Sequence, residues 1–261
     1  MQTLDRVVRR ASQTDHAITL PFAGLQRIGF QLTYGQLGMI AAGPGVGKSS
    51  IAQQIALTAG LRTLYVSADS PPWVMTVRAL AYLTGHPQTY IVQCLQGGYQ
   101  VDEIDVALWQ SAHVQYSFDT FTTKEIGEDV QAYATVQGAY PELIVVDNVR
   151  NFAEAGGDSE VAAQQRVMEK LHALALNTGA HVLALHHATG HYHDGDKPVP
   201  LGGIENKITQ LPAQVLTLYR NDPHVIACPV KNRMGKADPS AKSMQVRLRF
   251  DGERQTFHDT E

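Results

Sequence analysis

The sequence predicts an α/β protein: a mainly parallel twisted sheet with helices on both faces and antiparallel strands at the C-terminal end. Three observations carry this. From residue 37 to about 185, short apolar runs alternate with longer stretches of helical periodicity, the order expected of parallel strands joined by crossover helices. Gly60, Gly85, Gly138 and Gly179 stand just past the helical stretches, where a left-handed residue ends a helix. After residue 213 the helical stretches cease, and apolar runs follow one another closely enough for hairpins.

The bulk properties narrow the class. The chain has 261 residues, enough for one large domain with a buried core. No apolar run reaches the roughly 20 residues needed to cross a bilayer. The N-terminus is basic but has no apolar centre of the kind a secretory signal requires, so a cytoplasmic location without a membrane partner is expected. Cys94 and Cys228 stand in unrelated apolar contexts and read as inert thiols. A net charge of −4 argues against a broad surface gripping nucleic acid, and confines any such contact to local loops.

Residues 1–20 read as a separate N-terminal arm, with residues 21–261 forming the main domain. Leu4, Val7, Val8 and Ala11 fall at helical spacing among Arg6, Arg9 and Arg10. A helix packing on a neighbouring subunit and a frayed basic terminus both fit. Strands are expected at residues 37–42, 63–68, 143–146 and 181–185, and then at 214–219, 225–230 and 244–250. Helices are expected at 50–59, 73–84 and 160–178. One more begins at Thr122, which with Glu125 forms a capping box.

The chemistry concentrates in Gly43-Pro44-Gly45-Val46-Gly47-Lys48-Ser49-Ser50, preceded by Ala42. This is a P-loop with alanine in place of its first glycine, set between a predicted strand and a predicted helix as the motif requires. Glycines let backbone N–H groups turn toward phosphates, and the helix N-terminus adds its positive end. Lys48 then reaches the β and γ phosphates of ATP, and Ser49 offers a hydroxyl to Mg2+. A second carboxylate at a strand end completes such a magnesium site, and Leu143-Ile144-Val145-Val146-Asp147 supplies one.

Around these motifs the chain resembles the RecA-like motor domain of DnaB-type hexameric replicative helicases, and more closely their plasmid and phage RepA-like branch. The resemblance spans about residues 20–250. It rests on the P-loop, on Tyr65 to Pro72 with Arg78 beyond, on Leu183-Ala184-Leu185-His186-His187-Ala188-Thr189, and on Val230-Lys231-Asn232-Arg233-Met234-Gly235. It implies that Asp69 stands where the family has a glutamate activating the attacking water, one methylene shorter here. A turn or cap aspartate is the plain alternative. It implies that His187 senses the γ-phosphate, although polar histidines without that role also fit. Four histidines (His186, His187, His191, His193) are weighed as a metal site and set aside, because no further anchoring ligand lies nearby. The resemblance further implies that Lys231 and Arg233 reach a neighbour's γ-phosphate, which requires head-to-tail assembly and so a homo-oligomeric ring. A solvated basic hairpin tip is the alternative.

Two polar, glycine-rich segments follow strand ends, at 150–159 and 190–206. In RecA-like rings the matching loops line a channel holding single-stranded DNA. Arg150, His191, His193, Lys197 and Lys207 are the candidate contacts, against a plain reading of solvated flexible loops. The expected function is an ATP-dependent hexameric DNA helicase or translocase in replication, working with a separate primase or loader. A recombinase or filament-forming ATPase is one alternative. A nucleotide-switched DNA-binding scaffold with little turnover is the other.

Overall fold

The structure, a computed structural model, describes residues 17–98, 102–152, 159–204 and 208–260. Residues 1–16 of the arm, Glu154 and Asp158 of the first loop, and Lys207 lie outside the described residues.

The elements in order are β1 (Ala17–Ile18), α1 (Ala23–Arg27), β2 (Leu32–Thr33), β3 (Leu37–Ala42), α2 (Lys48–Thr58), β4 (Thr63–Ser67) and α3 (Pro72–Thr84). Then come α4 (Gln88–Gly97), α5 (Asp102–Gln110), β5 (Val114–Ser117), α6 (Thr123–Gln137), β6 (Leu143–Asp147), α7 (Glu160–Thr178) and β7 (His181–His187). The chain finishes with β8 (Gln214–Asn221), β9 (His224–Asn232), β10 (Val246–Asp251) and β11 (Thr256–Asp259). A 9-stranded sheet runs β11-β10-β9-β8-β3-β7-β6-β4-β5, with β1 and β2 pairing separately. Pairing is parallel from β8 through β5, and antiparallel from β8 outward to β11.

The central strands are buried on both faces, as their unbroken apolar runs require. On β3, Ile40 and Ala42 join one core layer, while Leu37, Met39 and Ala41 join the other. Leu143 and Val145 of β6 divide from Ile144 and Val146 in the same way, following the two-residue period of a strand. A third apolar cluster joins α3, α4 and α5 through Leu80, Ile91 and Ile104. Ile18 and Leu20, which the sequence assigns to the arm, are buried at 3% and 1% exposure in the first layer. The packed body therefore extends to at least residue 17.

The helix ends follow from local chemistry. Gly85, Gly138 and Gly179 each take left-handed φ at a C-cap. Both halves of the Thr122–Glu125 capping box form. The predicted helix at 50–59 begins two residues earlier, at Lys48, because Gly47 at φ 108 turns the chain directly into it. The short β5, β1, β2 and β11 and the helices α1, α4 and α5 were not predicted. The second polar segment differs from the irregular loop expected. It holds 3-10 turns at Gly190–Tyr192 and Leu201–Gly203, bridges Ala188 to Ile204, and buries Gly195 and Val199.

Candidate nucleotide site

The glycine-rich loop leaves the end of β3 and enters α2, so its backbone amides and the N-terminus of α2 face one hollow. Pro44, Gly45, Gly47, Lys48, Ser49 and Ser50 line that hollow. Asp69, Ser70, Arg78 and His187 complete it on one side, Phe250 and Gln255 on the other.

Lys48 is buried, at 7% exposure. Its ammonium donates to the carbonyls of Ala42 at 3.1 Å and Gly43 at 3.0 Å, and lies 3.4 Å from His187 Nδ1. Burial pulls its pKa down to about 8, against the opposing pull of Asp147 and Asp69. Asp147, at the end of β6, is 1% exposed. It accepts hydrogen bonds from Tyr65 Oη at 3.0 Å and from the Ser49 hydroxyl. Burial raises its pKa, and these two bonds work against the rise. The parallel pairing β3–β7–β6 makes this meeting possible, since it aligns the C-terminal ends of strands far apart in sequence. The peptide between Asp147 and Asn148 is cis.

Ser49 and Asp147 together present a hydroxyl and a carboxylate, the hard oxygen donors that suit Mg2+. His187 sits between Lys48 and Asn148, whose amide nitrogen lies 3.2 Å from its Nε2. Burial first, and the Lys48 charge second, hold its pKa down to about 4. It is therefore neutral near pH 7. Asp69 lies two residues past the end of β4, exposed at the rim of the hollow, with Asn151 Nδ2 3.4 Å from its Oδ1.

Lys231 and Arg233 are not in this group. In the sheet, Gln214 pairs with Gly38 and with Asn232, so the turn after β9 lies at the N-terminal end of β3. Five residue steps of strand, about 16 Å, separate Gly38 from the start of the glycine-rich loop at Gly43. Lys231 Nζ donates to the carbonyls of Thr209 at 2.7 Å and Gln210 at 2.9 Å, and Arg233 Nη2 donates to Gln210 O at 3.0 Å. Arg233 is exposed and Lys231 half-buried. Of the residues expected to touch nucleic acid, Arg150, His191, His193 and Lys197 are exposed beyond the ends of β6 and β7. Arg150 lies 3.8 Å from Glu160.

Sequence reasoning missed the far wall of the hollow. The β10–β11 hairpin folds back over α2: Gln54 exchanges two hydrogen bonds with the Phe257 backbone, at 2.9 and 2.8 Å. Ser50 Oγ donates to Gln255 Oε1 at 2.6 Å. Gln88 and Arg254 bind the hairpin turn to the corner between α3 and α4. A Cβ at Gly47 would lie 2.7 Å from Phe257 Cζ, so this glycine is also needed for the hairpin's close approach. The contacts span some two hundred residues, and no local pattern announces them.

A family model described as an AAA domain matches residues 5–190. The Gene 65 protein of Mycobacterium phage L5 is 33% identical over 246 residues, covering 91% of each chain. The Gene 65 protein of Mycobacterium phage D29 is 36% identical over 233 residues, covering 85% of this chain and 98% of that one. Among solved structures, an ATPase domain superposes with a TM-score of 0.82 at 17% identity, over 99% of this chain and 97% of the other. A DnaB-like replicative helicase, solved in a study of its interactions with primase, superposes with a TM-score of 0.84 at 17% identity, over 100% of this chain and 68% of that one. At such identities the likeness concerns the fold. The chain belongs to the AAA domain family and carries the RecA-like fold of a DnaB-type helicase motor.

Proposed function

We propose that the protein binds and hydrolyses ATP and uses the cycle to move on single-stranded DNA as a ring of identical subunits, in the manner of a replicative helicase motor. The observation that carries the reading is the convergence of Lys48, Ser49 and Asp147, with Ser49 already hydrogen-bonded to Asp147. Three groups from two distant segments meet where a triphosphate on the loop would need a cation, a hydroxyl and a carboxylate.

In this reading the loop amides from Gly43 to Ser50 wrap the phosphates, and Lys48 leaves its carbonyl partners for the β and γ oxygens. Ser49 and Asp147 hold Mg2+, which when bound offsets charge on the phosphates. Asp69 stands at the rim and positions the attacking water, with Asn151 steadying its carboxylate. His187 touches both Lys48 and Asn148, so a shift of the Lys48 ammonium reaches the turn that carries Arg150. His191, His193 and Lys197, with Arg150 and Lys207, are the groups proposed to meet the strand. Arg233, with Lys231, is proposed to serve the nucleotide of the adjacent subunit. Its place at the opposite end of the sheet from its own glycine-rich loop supports that arrangement. A charge supplied from outside to the γ oxygens accelerates phosphoryl transfer by about 10³–10⁵. A separate primase or loader completes the proposed assembly.

The test is calorimetric titration of Mg-ATP, followed by ATPase rates with and without single-stranded DNA and a fork-unwinding assay on the same preparation. Binding, stimulation and unwinding are expected. Binding and assembly without turnover would instead identify a nucleotide-switched scaffold, and a filament in micrographs would identify a recombinase-like polymer.

A further inference from the structure

The segment between β7 and β8 is fastened directly to the glycine-rich loop. Ala188 N donates to Ala42 O at 3.1 Å. Gly43 faces the backbone of His193 and Gly195 so closely that a Cβ there would lie 2.9 Å from Gly195 N. Gly195 is buried at φ 70, against the side chain of Val46.

Arg220 joins the two sides. Its backbone N–H donates to Gly195 O at 2.6 Å, and its Nη2 donates to Gly45 O at 3.0 Å. The parallel register explains its reach: Leu218 of β8 pairs with Ala42, so the strand delivers residue 220 beside the crest of the loop. The Gly45 carbonyl shares a rigid peptide plane with the Val46 N–H, and in a trans peptide the two point in opposite directions. Holding the carbonyl outward aims the N–H inward, and any rotation of that peptide moves the guanidinium's partner.

We infer that Arg220 is a positioning residue that couples nucleotide binding at the glycine-rich loop to the β7–β8 segment bearing His191, His193 and Lys197. This rests on the nucleotide-binding reading above, although not on any nucleic-acid partner. The planar fork suits the task, because it fixes both the direction and the distance of the bond to Gly45.

Amide hydrogen exchange on the full chain, with and without a non-hydrolysable Mg-ATP analogue, tests it. In the unaltered protein the analogue is expected to slow exchange about fivefold or more in both 43–49 and 188–204. In Arg220→Ala the slowing at 43–49 should persist while that at 188–204 falls below about twofold, with Arg220→Lys recovering part of it. Thermal melts of each variant confirm that it folds. A retained response at 188–204 in Arg220→Ala would overturn the inference, as would an unaltered protein that binds the analogue yet shows no response there. Parallel loss at both segments would make Arg220 a support of the loop and would also overturn the coupling. A folded, unaltered chain that fails to bind the analogue would bring down the nucleotide reading itself.

Discussion

Lys48 is held as an ammonium in a place that disfavours charge, with a pKa lowered to about 8. Its folded-state value lies below the unfolded one of about 10.4. The destabilisation is therefore full below about pH 8 and fades as pH rises toward the unfolded value. Lys48→Met should stabilise the protein at pH 7, without nucleotide, by up to about 3 kcal/mol, and by little above pH 10.5. The same variant should have no ATPase turnover. Denaturant midpoints at the two pH values check the first statement. A less stable variant at pH 7 would mean that the bonds to Ala42 and Gly43 outweigh the burial penalty. His181 gives a second pH signature. Its imidazole is fully buried, donates from Nδ1 to Thr33 O at 2.9 Å, and is held down to about 4. From pH 6.5 to 4 the unfolded chain takes up a proton that the folded chain refuses. Stability should therefore fall by up to about 3 kcal/mol over that window and level off below it. His181→Gln should flatten this part of a stability–pH curve. At this scale the sequence was legible where chemistry is written in a motif, as at Lys48, Ser49 and Asp147. It was silent on Arg220, Gln255 and Phe250, which matter only through where the sheet puts them.

Among the elements, α6 offers the cleanest test of local energetics. Thr122 Oγ accepts from Glu125 N at 3.2 Å, and the Glu125 carboxylate accepts from the amides of Phe121 and Thr122 at 2.9 and 2.8 Å. These bonds hold the Glu125 carboxyl below its ordinary pKa. Thr122→Ala should cost about 1 kcal/mol in a urea melt, with no change in nucleotide affinity. Cap and glycine signals of this kind made the long helices readable almost to the residue, as at Glu160–Thr178. The elements that escaped are those without such a signature. β5 has one buried residue in four and sits at the sheet edge, and β1 and β2 have two residues each. In contrast, α2 is buried on nearly every side, so it shows no amphipathic stripe. It was read from a helical stretch closed by Gly60, and its start, at Lys48, was read two residues late.

Across the whole molecule, the glycine-rich loop and the Arg233 turn occupy opposite ends of the sheet. A subunit carrying Arg233→Ala keeps its own loop, and one carrying Lys48→Ala keeps its own turn. Each should be nearly inactive alone. Mixed rings should recover a measurable fraction of the ATPase rate at interfaces pairing an intact loop with an intact turn. Verified mixed rings that recover nothing would show that Arg233 does not act across the boundary. The order of the sheet explains why the fold class could be read from alternation alone, and why the final curl of β10–β11 onto α2 could not. Hairpin spacing predicts antiparallel strands, and it does not say what their far side covers.

That curl has a consequence for biosynthesis. The loop at 43–50 is made early, whereas Phe250 and Gln255, which wall its hollow, and Phe257, which packs behind Gly47, emerge some two hundred residues later. A polypeptide still tethered to the ribosome before residue 250 has the cradle and lacks one side of it. Full grip on a ligand there must await emergence of the last hairpin, so a half-made chain presents a cradle open on one flank.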